Sequence, residues 1–353
     1  MQFSGLAKPP IGIVFDSALG DGIDDVLALS VIYALEAHSE TRLVSTSTTK
    51  SSLRSAMFAE VLSRFLMGPP PVPRAGAFAG FQRPVPTIGM PDNGKLGQDT
   101  PVIQAVLDKK KADGTPVYAR SIAKLNDTAD PATLIRNALT AQHDGNCLVL
   151  LAGPATNLAR TMALAGSMEL IKAKVKCLLL SWGGDPEGAA DASVKADVAA
   201  ARQLLENWPT PILAVGSGLG TDLAYPGHSV GKDFTWADAH PVVDSYLAYR
   251  TMPYDAPAPS LAAVLHAIRP ESGFTESPLG TISVMDDGRT RFIAGASGTH
   301  RYLMVDPARK AEILRTYVEI VSAKPLPRPM RRRPPEKKDE VPSPAAKPPD
   351  PAN

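Results

Sequence analysis

The chain has 353 residues, 44% of them hydrophobic, which is ample for a packed core in one large α/β domain or two smaller ones. Its 37 basic and 36 acidic residues give a formal charge of +1, but the segment from Lys324 onward carries +4 and the remainder −3. A slightly acidic body has no electrostatic footprint for nucleic acid, and no apolar run approaches the length of a membrane span.

Residues 1–10 lack the apolar segment of a secretion signal, so a cytoplasmic protein is expected. An apolar run, Ile11-Gly12-Ile13-Val14-Phe15, then delivers the loop Asp16-Ser17-Ala18-Leu19-Gly20-Asp21-Gly22-Ile23-Asp24-Asp25 onto a helical stretch, residues 26–35. A carboxylate-rich, glycine-containing loop at the carboxyl end of a strand is how an open α/β sheet builds a site. Two adjacent aspartates at a helix start also serve as dipole compensation and capping, so the pair alone proves no function.

A strand at residues 43–48 precedes an amphipathic helix at 53–66, and residues 68–100, rich in Pro and Gly, read as a long loop near the strand ends. Strands at 147–152, 175–181 and 211–215 alternate with helices at 156–165 and 195–206. Repeated β-then-α units predict an open, mostly parallel sheet with helices on both faces. Cys147 and Cys177 lie within the apolar strands at 147–152 and 175–181 and read as buried thiols, which fits a reducing compartment.

Helices are expected at 242–249, 260–268 and 307–321, with a hairpin over 280–294 that turns at Asp286-Asp287-Gly288. Three regions result: an amino-terminal extension, 1–10; an α/β domain, 11–323; and a tail, 324–353, whose Pro-rich charged composition predicts disorder. Pro325-Leu326-Pro327-Arg328-Pro329 and Arg331-Arg332-Arg333-Pro334-Pro335 offer a polyproline helix to a protein partner, or else form a solubilising tail.

The aspartate loop resembles the signature of the inosine-uridine preferring nucleoside hydrolase family, which reads Asp-Thr-Asp, then Met-Gly-Asn-x-x, then Asp-Asp in its longer form. Asp16, Gly20, Asp24 and Asp25 match it. Three further stretches are similar to that family in the expected order: Gly153-Pro154-Ala155-Thr156-Asn157, Asp197-Val198-Ala199-Ala200-Ala201 with Trp208-Pro209-Thr210-Pro211-Ile212, and Ala263-Val264-Leu265-His266-Ala267-Ile268-Arg269-Pro270. The resemblance covers roughly residues 10–322 and implies a Rossmann-like nucleoside hydrolase domain, cleavage of the N-glycosidic bond of ribonucleosides as the ancestral reaction, and a homo-oligomer.

It also implies a calcium ion that grips the ribose diol and a water molecule, held by three carboxylates and a threonine carbonyl. Asp25 and Thr156 stand at two of those ligand positions. Ala18 stands where the family has the aspartate that binds metal and activates water, and Ser260 where it has the late aspartate. The family's sugar-binding residues fall at Asp24, at Ser51 or Ser52, and at Ser193. Lys50 would bring a cation to the vacated metal position if its loop points inward.

Asp16, Asp21, Asp185, Glu187, Asp191 and Asp255 are the oxygens that would have to rescue an ion, and without rescue no cofactor is expected. No base is assigned, since its position holds Ala18, with Asp16 and Asp24 as the remaining candidates. The sequence therefore implies a family member with a degenerate calcium and catalytic site, kept for binding a ribosyl or polyol ligand or as a scaffold. An active N-ribosyl hydrolase with a rearranged or absent metal site is the alternative.

Overall fold

The computed structural model describes residues 9–68, 86–92, 98–184, 188 and 190–326. Ten strands are present among them: β1 (Ile11–Ser17), β2 (Thr41–Thr48), β3 (Ile88–Gly89), β4 (Cys147–Ala152), β5 (Val175–Leu180), β6 (Ile212–Ala214), β7 (Phe274–Glu276), β8 (Gly280–Val284), β9 (Thr290–Ala294) and β10 (His300–Val305). The sheet runs β3-β2-β1-β4-β5-β6-β10-β8-β9, with β7 paired to β10 off this path. From β3 to β10 every pairing is parallel, and β8, β9 and β7 add antiparallel ladders at the far side.

Alternation along the central strands buries both faces. Ile13 and Phe15 of β1, with Leu148 and Leu150 of β4, point into one apolar layer; Val14, Cys147, Val149 and Leu151 point into the other. Cys147 and Cys177 are free thiols, and burial pushes both up to about 12. The strand order reverses between β1 and β4, whose ends pair as Asp16 with Leu151 and Ser17 with Ala152. That reversal opens a crevice at the strands' carboxyl ends, and the aspartate loop emerges directly into it.

The predicted helix at 53–66 and strand at 147–152 have those limits in the structure, Leu53–Leu66 and Cys147–Ala152. The helix expected over 195–206 is instead two, Ala192–Ala196 and Val198–Asn207. Asp197, at φ −156° and ψ 79°, breaks it and accepts the N–H of Ala200 at 3.0 Å as the cap of the second piece. The last helix is Lys310–Val321, preceded by a 3₁₀ turn at Pro307–Arg309. Within the expected 68–100 loop, Ile88–Gly89 extends the sheet beside β2, while residues 69–85 and 93–97 lie outside the described residues.

At the carboxyl end, Lys324, Pro325 and Leu326 belong to the described chain and line a 220 Å³ cavity with Tyr33, Leu66 and Val321. Pro325 is half-buried there, while Lys324 and Leu326 are exposed. The rest of the expected disordered tail, with its arginine cluster, lies outside the described residues, as do residues 1–8.

One buried charge fastens the long connection before β4. Glu60, 1% exposed on helix Leu53–Leu66, accepts the N–H of Ser121 at 2.9 Å, the N–H of Ile122 at 2.8 Å and Arg64 Nε at 2.7 Å. Charge-assisted bonds of this kind are worth about 1.5–3 kcal/mol each when a buried partner is removed. Glu60→Ala is expected to lower unfolding stability by about 2–4 kcal/mol in a urea titration. A change below about 0.5 kcal/mol, the range of ordinary surface substitutions, would show that residues 121–122 are not held this way.

Candidate active site at the β1 and β4 strand ends

Loop 18–23 is tied down along its length. Ala18 N–H donates to Ala152 O at 2.9 Å, Ser55 Oγ to Leu19 O at 2.6 Å and Thr100 Oγ1 to Gly20 O at 2.6 Å. Gly20 is required twice over: its φ is +100°, and a Cβ there would lie 2.6 Å from Ile103 Cδ1. Gly153 at the end of β4 allows a close approach of another kind, since a Cβ would lie 2.8 Å from Ala18 N and 2.9 Å from Thr49 Oγ1.

Asp16 is fully buried at the end of β1. Its Oδ1 accepts Ser47 Oγ from β2 at 2.7 Å and Asn157 Nδ2 at 2.9 Å, while Oδ2 has no hydrogen-bond partner. Asn157 also donates to Thr48 O at 3.0 Å, so β1, β2 and the helix after β4 meet at one carboxyl group. Burial raises the Asp16 carboxyl to about 7 against the lowering effect of the two donors.

The helix Asp24–Ala37 has no side-chain cap of its own, and its first turn holds both aspartates. Both oxygens of Asp24 accept the backbone N–H of Ser260 at 3.1 Å, at the start of helix Pro259–Ile268, which also lacks a cap from its own chain neighbours. Asp24 thus caps a second helix from across the molecule. Burial raises its carboxyl to about 6, opposed by these bonds. Asp25, 8% exposed, is raised well above the ordinary carboxylate range by burial and by repulsion from Asp24 and Asp21, with Ser17 acting in the opposite sense.

Lys50 turns inward. Its side chain is 13% exposed, its Nζ is ion-paired with Asp21, and it donates to Gln98 O at 3.3 Å. Ser52 is occupied as the cap of helix Leu53–Leu66, accepting Ser55 N–H at 3.3 Å. Thr156 opens helix Thr156–Ala163 and donates its hydroxyl to Asp197 Oδ2 at 2.7 Å.

Ser193 gives its N–H to Asp191 at 2.8 Å on a segment anchored to the β8–β9 hairpin through Asp191 N–H and Gly288 O. Asp255 accepts Gly227 N–H at 2.8 Å. Asp185 and Glu187 lie outside the described residues. The structure thus gathers Asp16, Ala18, Asp21, Asp24, Asp25, Lys50 and Ser260 around one loop, and gives Ser52, Asp191 and Asp255 capping or loop-holding bonds.

Asn157, Ser47 and Tyr317 were not singled out from sequence. Asn157 sits inside a Gly-Pro-x-Thr-Asn stretch whose asparagine, the only amide there, was the available signal. Tyr317 is fully buried on the last helix, beside Asp24, whose charge together with burial raises its phenol far above the ordinary range. Nothing local in the sequence marks that contact.

Solved structures similar to this chain include nucleoside hydrolases. An inosine-guanosine nucleoside hydrolase superposes with a TM-score of 0.63 at 14% identity over 88% of this chain and 98% of that one. A plant nucleoside hydrolase gives 0.60 at 17% identity, over 89% and 100%. The chain has the nucleoside hydrolase fold. The type III effector protein XopQ, solved in complex with adenosine diphosphate ribose, shares this fold at a TM-score of 0.59 and 15% identity, over 90% and 95%. Neither a family model nor a curated protein sequence matches the chain.

The calcium site that the family resemblance implies can be tested against these donors. Ala18 supplies a methyl group, and Ser260 presents its N–H, a donor, to Asp24. Among the described residues no group of three or more His, Cys, Asp or Glu side chains is placed to hold an ion. A cation that takes six to eight oxygens does not fit this set.

The raised Asp16 makes stability depend on pH. A carboxyl whose native pKa exceeds its unfolded value favours the folded state fully below the unfolded pKa, and that contribution is lost as pH rises through the native one. Wild-type stability is therefore expected to fall between about pH 4 and pH 7, by up to a few kcal/mol. In Asp16→Asn, which keeps an oxygen for Ser47 and Asn157, the slope should flatten by about one proton. Unchanged slopes in denaturant titrations across that range would mean that Asp16 is ionised throughout.

Proposed function

We propose that this protein is a divergent member of the nucleoside hydrolase family whose crevice binds a ribosyl or polyol ligand and whose ancestral hydrolysis is severely impaired. The observation that carries this reading is Ala18, a methyl group at the loop position where the reaction needs a water-activating carboxylate. Removing a positioned base lowers a rate by about a hundred- to ten-thousandfold, and the loss of the ion's ligands removes the electrophile as well. What remains suits binding: a loop held by backbone and hydroxyl bonds, a half-buried Asp24 and a buried Asp25 at the mouth of the crevice. The complex of a similarly folded effector with adenosine diphosphate ribose supports a ribosyl ligand.

No helix among the described residues is long and apolar enough to cross a membrane. A cytoplasmic location, a homo-oligomer and a protein partner for the Pro-rich tail complete the proposal.

A second reading, an active N-ribosyl hydrolase without a metal, is favoured by one observation. Asp16, raised to about 7, and Asp24, raised to about 6, are both poised to exchange protons near neutral pH.

Titration calorimetry with adenosine diphosphate ribose, alongside base release from inosine and uridine, separates the two. Saturable binding that weakens in Asp25→Asn, with base release at the uncatalysed rate, is expected. Calcium-dependent release of base that Asp25→Ala abolishes would overturn the impaired reading. Turnover in a screen of purine, pyrimidine and nicotinamide ribosides without added metal would establish the second.

A further inference from the structure

The misfit of the calcium site leaves an electrostatic question. Three aspartates, 21, 24 and 25, crowd one loop, and Asp24 and Asp21 both push against Asp25. A divalent cation would offset that repulsion, but the donors for it are missing. Helix Pro259–Ile268 relieves part of it by aiming the Ser260 N–H at Asp24, a place where an acidic side chain at position 260 would instead add negative charge.

Asp21, the outermost of the three, is paired with Lys50. Long lysine side chains are almost never buried without a partner. This one follows β2, which ends at Thr48, and reaches Asp21 and Gln98 O with its side chain 13% exposed. Among the described residues, Lys50–Asp21 is the one ion pair that loop 16–25 makes. An ammonium group has three donors, and Asp21 and Gln98 O engage two of them among the described residues.

We infer that Lys50 is the fixed cation of this crevice: its ammonium group, held by Asp21 and Gln98 O, replaces a bound divalent ion and binds a hydroxyl or phosphate oxygen of the ligand. The inference rests on the ribosyl-binding reading for the ligand and on the geometry alone for the cation. A lysine supplies one unit of charge and hydrogen bonds. It does not polarise water as a metal does, so the substitution is consistent with binding retained and hydrolysis lost.

The test compares wild type, Lys50→Met and Lys50→Arg, each confirmed folded by its thermal midpoint, in calorimetric titrations with adenosine diphosphate ribose and, separately, with calcium. Wild-type ligand affinity is expected to be the same in EDTA and in millimolar calcium. It should fall by at least about tenfold in Lys50→Met and recover substantially in Lys50→Arg. Calcium should bind neither wild type nor Lys50→Met up to millimolar concentration, since the donors for it are missing from both.

Ligand binding that requires calcium in wild type, or an unchanged affinity in Lys50→Met, overturns the inference. Should wild type bind no ribosyl ligand, the proposed function fails on its own, and the calcium titration of wild type and the thermal midpoints decide the cation. No uptake by wild type, with a midpoint lowered in Lys50→Met and restored in Lys50→Arg, upholds Lys50 as the replacement; uptake by wild type, or an unchanged midpoint in Lys50→Met, rejects it.

Discussion

Everything at the crevice depends on one buried carboxyl group. Asp16 receives Ser47 from β2 and Asn157 from the helix after β4, and Asn157 reaches on to Thr48 O. Three chain segments that are far apart in sequence are thereby fixed where the sheet reverses its order. Holding a carboxyl group in an apolar interior is unfavourable when it is ionised, which is why burial outweighs two good donors and raises it toward neutrality. The site loop begins two residues later, so its direction is set by this junction rather than by the loop's own composition.

From that junction outward the protein meets the repulsion among its acidic groups with its own atoms. A helix terminus serves Asp24, a lysine serves Asp21, and Ser17 lies beside Asp25. Each is a fixed dipole or charge placed by folding, unlike an ion that must be captured from solution with most of its coordination shell supplied by oxygen. The nucleoside hydrolase fold does not by itself fix the chemistry at its switch point, a separation familiar from folds that host many functions.

Much of this was legible in the sequence. The central strands read as unbroken apolar runs because both faces of a parallel sheet are covered, and β4 shows the pattern at full strength in Cys147-Leu148-Val149-Leu150-Leu151-Ala152. Loop 16–25 was legible because aspartates and glycines rarely follow such a strand without reason. The interior break at Asp197 was not, since an aspartate in an alanine-rich helical stretch reads equally as a polar face or a cap. β3, β7 and β10 also escaped notice: the first two have two and three residues, too few for a period, and β10 carries His300, Arg301 and Tyr302 in place of an apolar run. Lys50 and Tyr317 depend on tertiary reach, which no local pattern encodes.

The position of β10 bears on how the molecule comes into being. This strand lies between β6 and β8, and the last helix that follows it buries Tyr317 beside Asp24 near the beginning of the chain. During synthesis the aspartate loop is among the first parts made, yet the surroundings of Asp24 are finished only when residue 317 arrives. Until then β6 presents an unpaired edge, the kind of surface that recruits other strands. The earliest segment of the polypeptide thus waits for almost the latest, and a fragment ending before residue 300 would contain the whole acidic loop without ever completing the place it occupies.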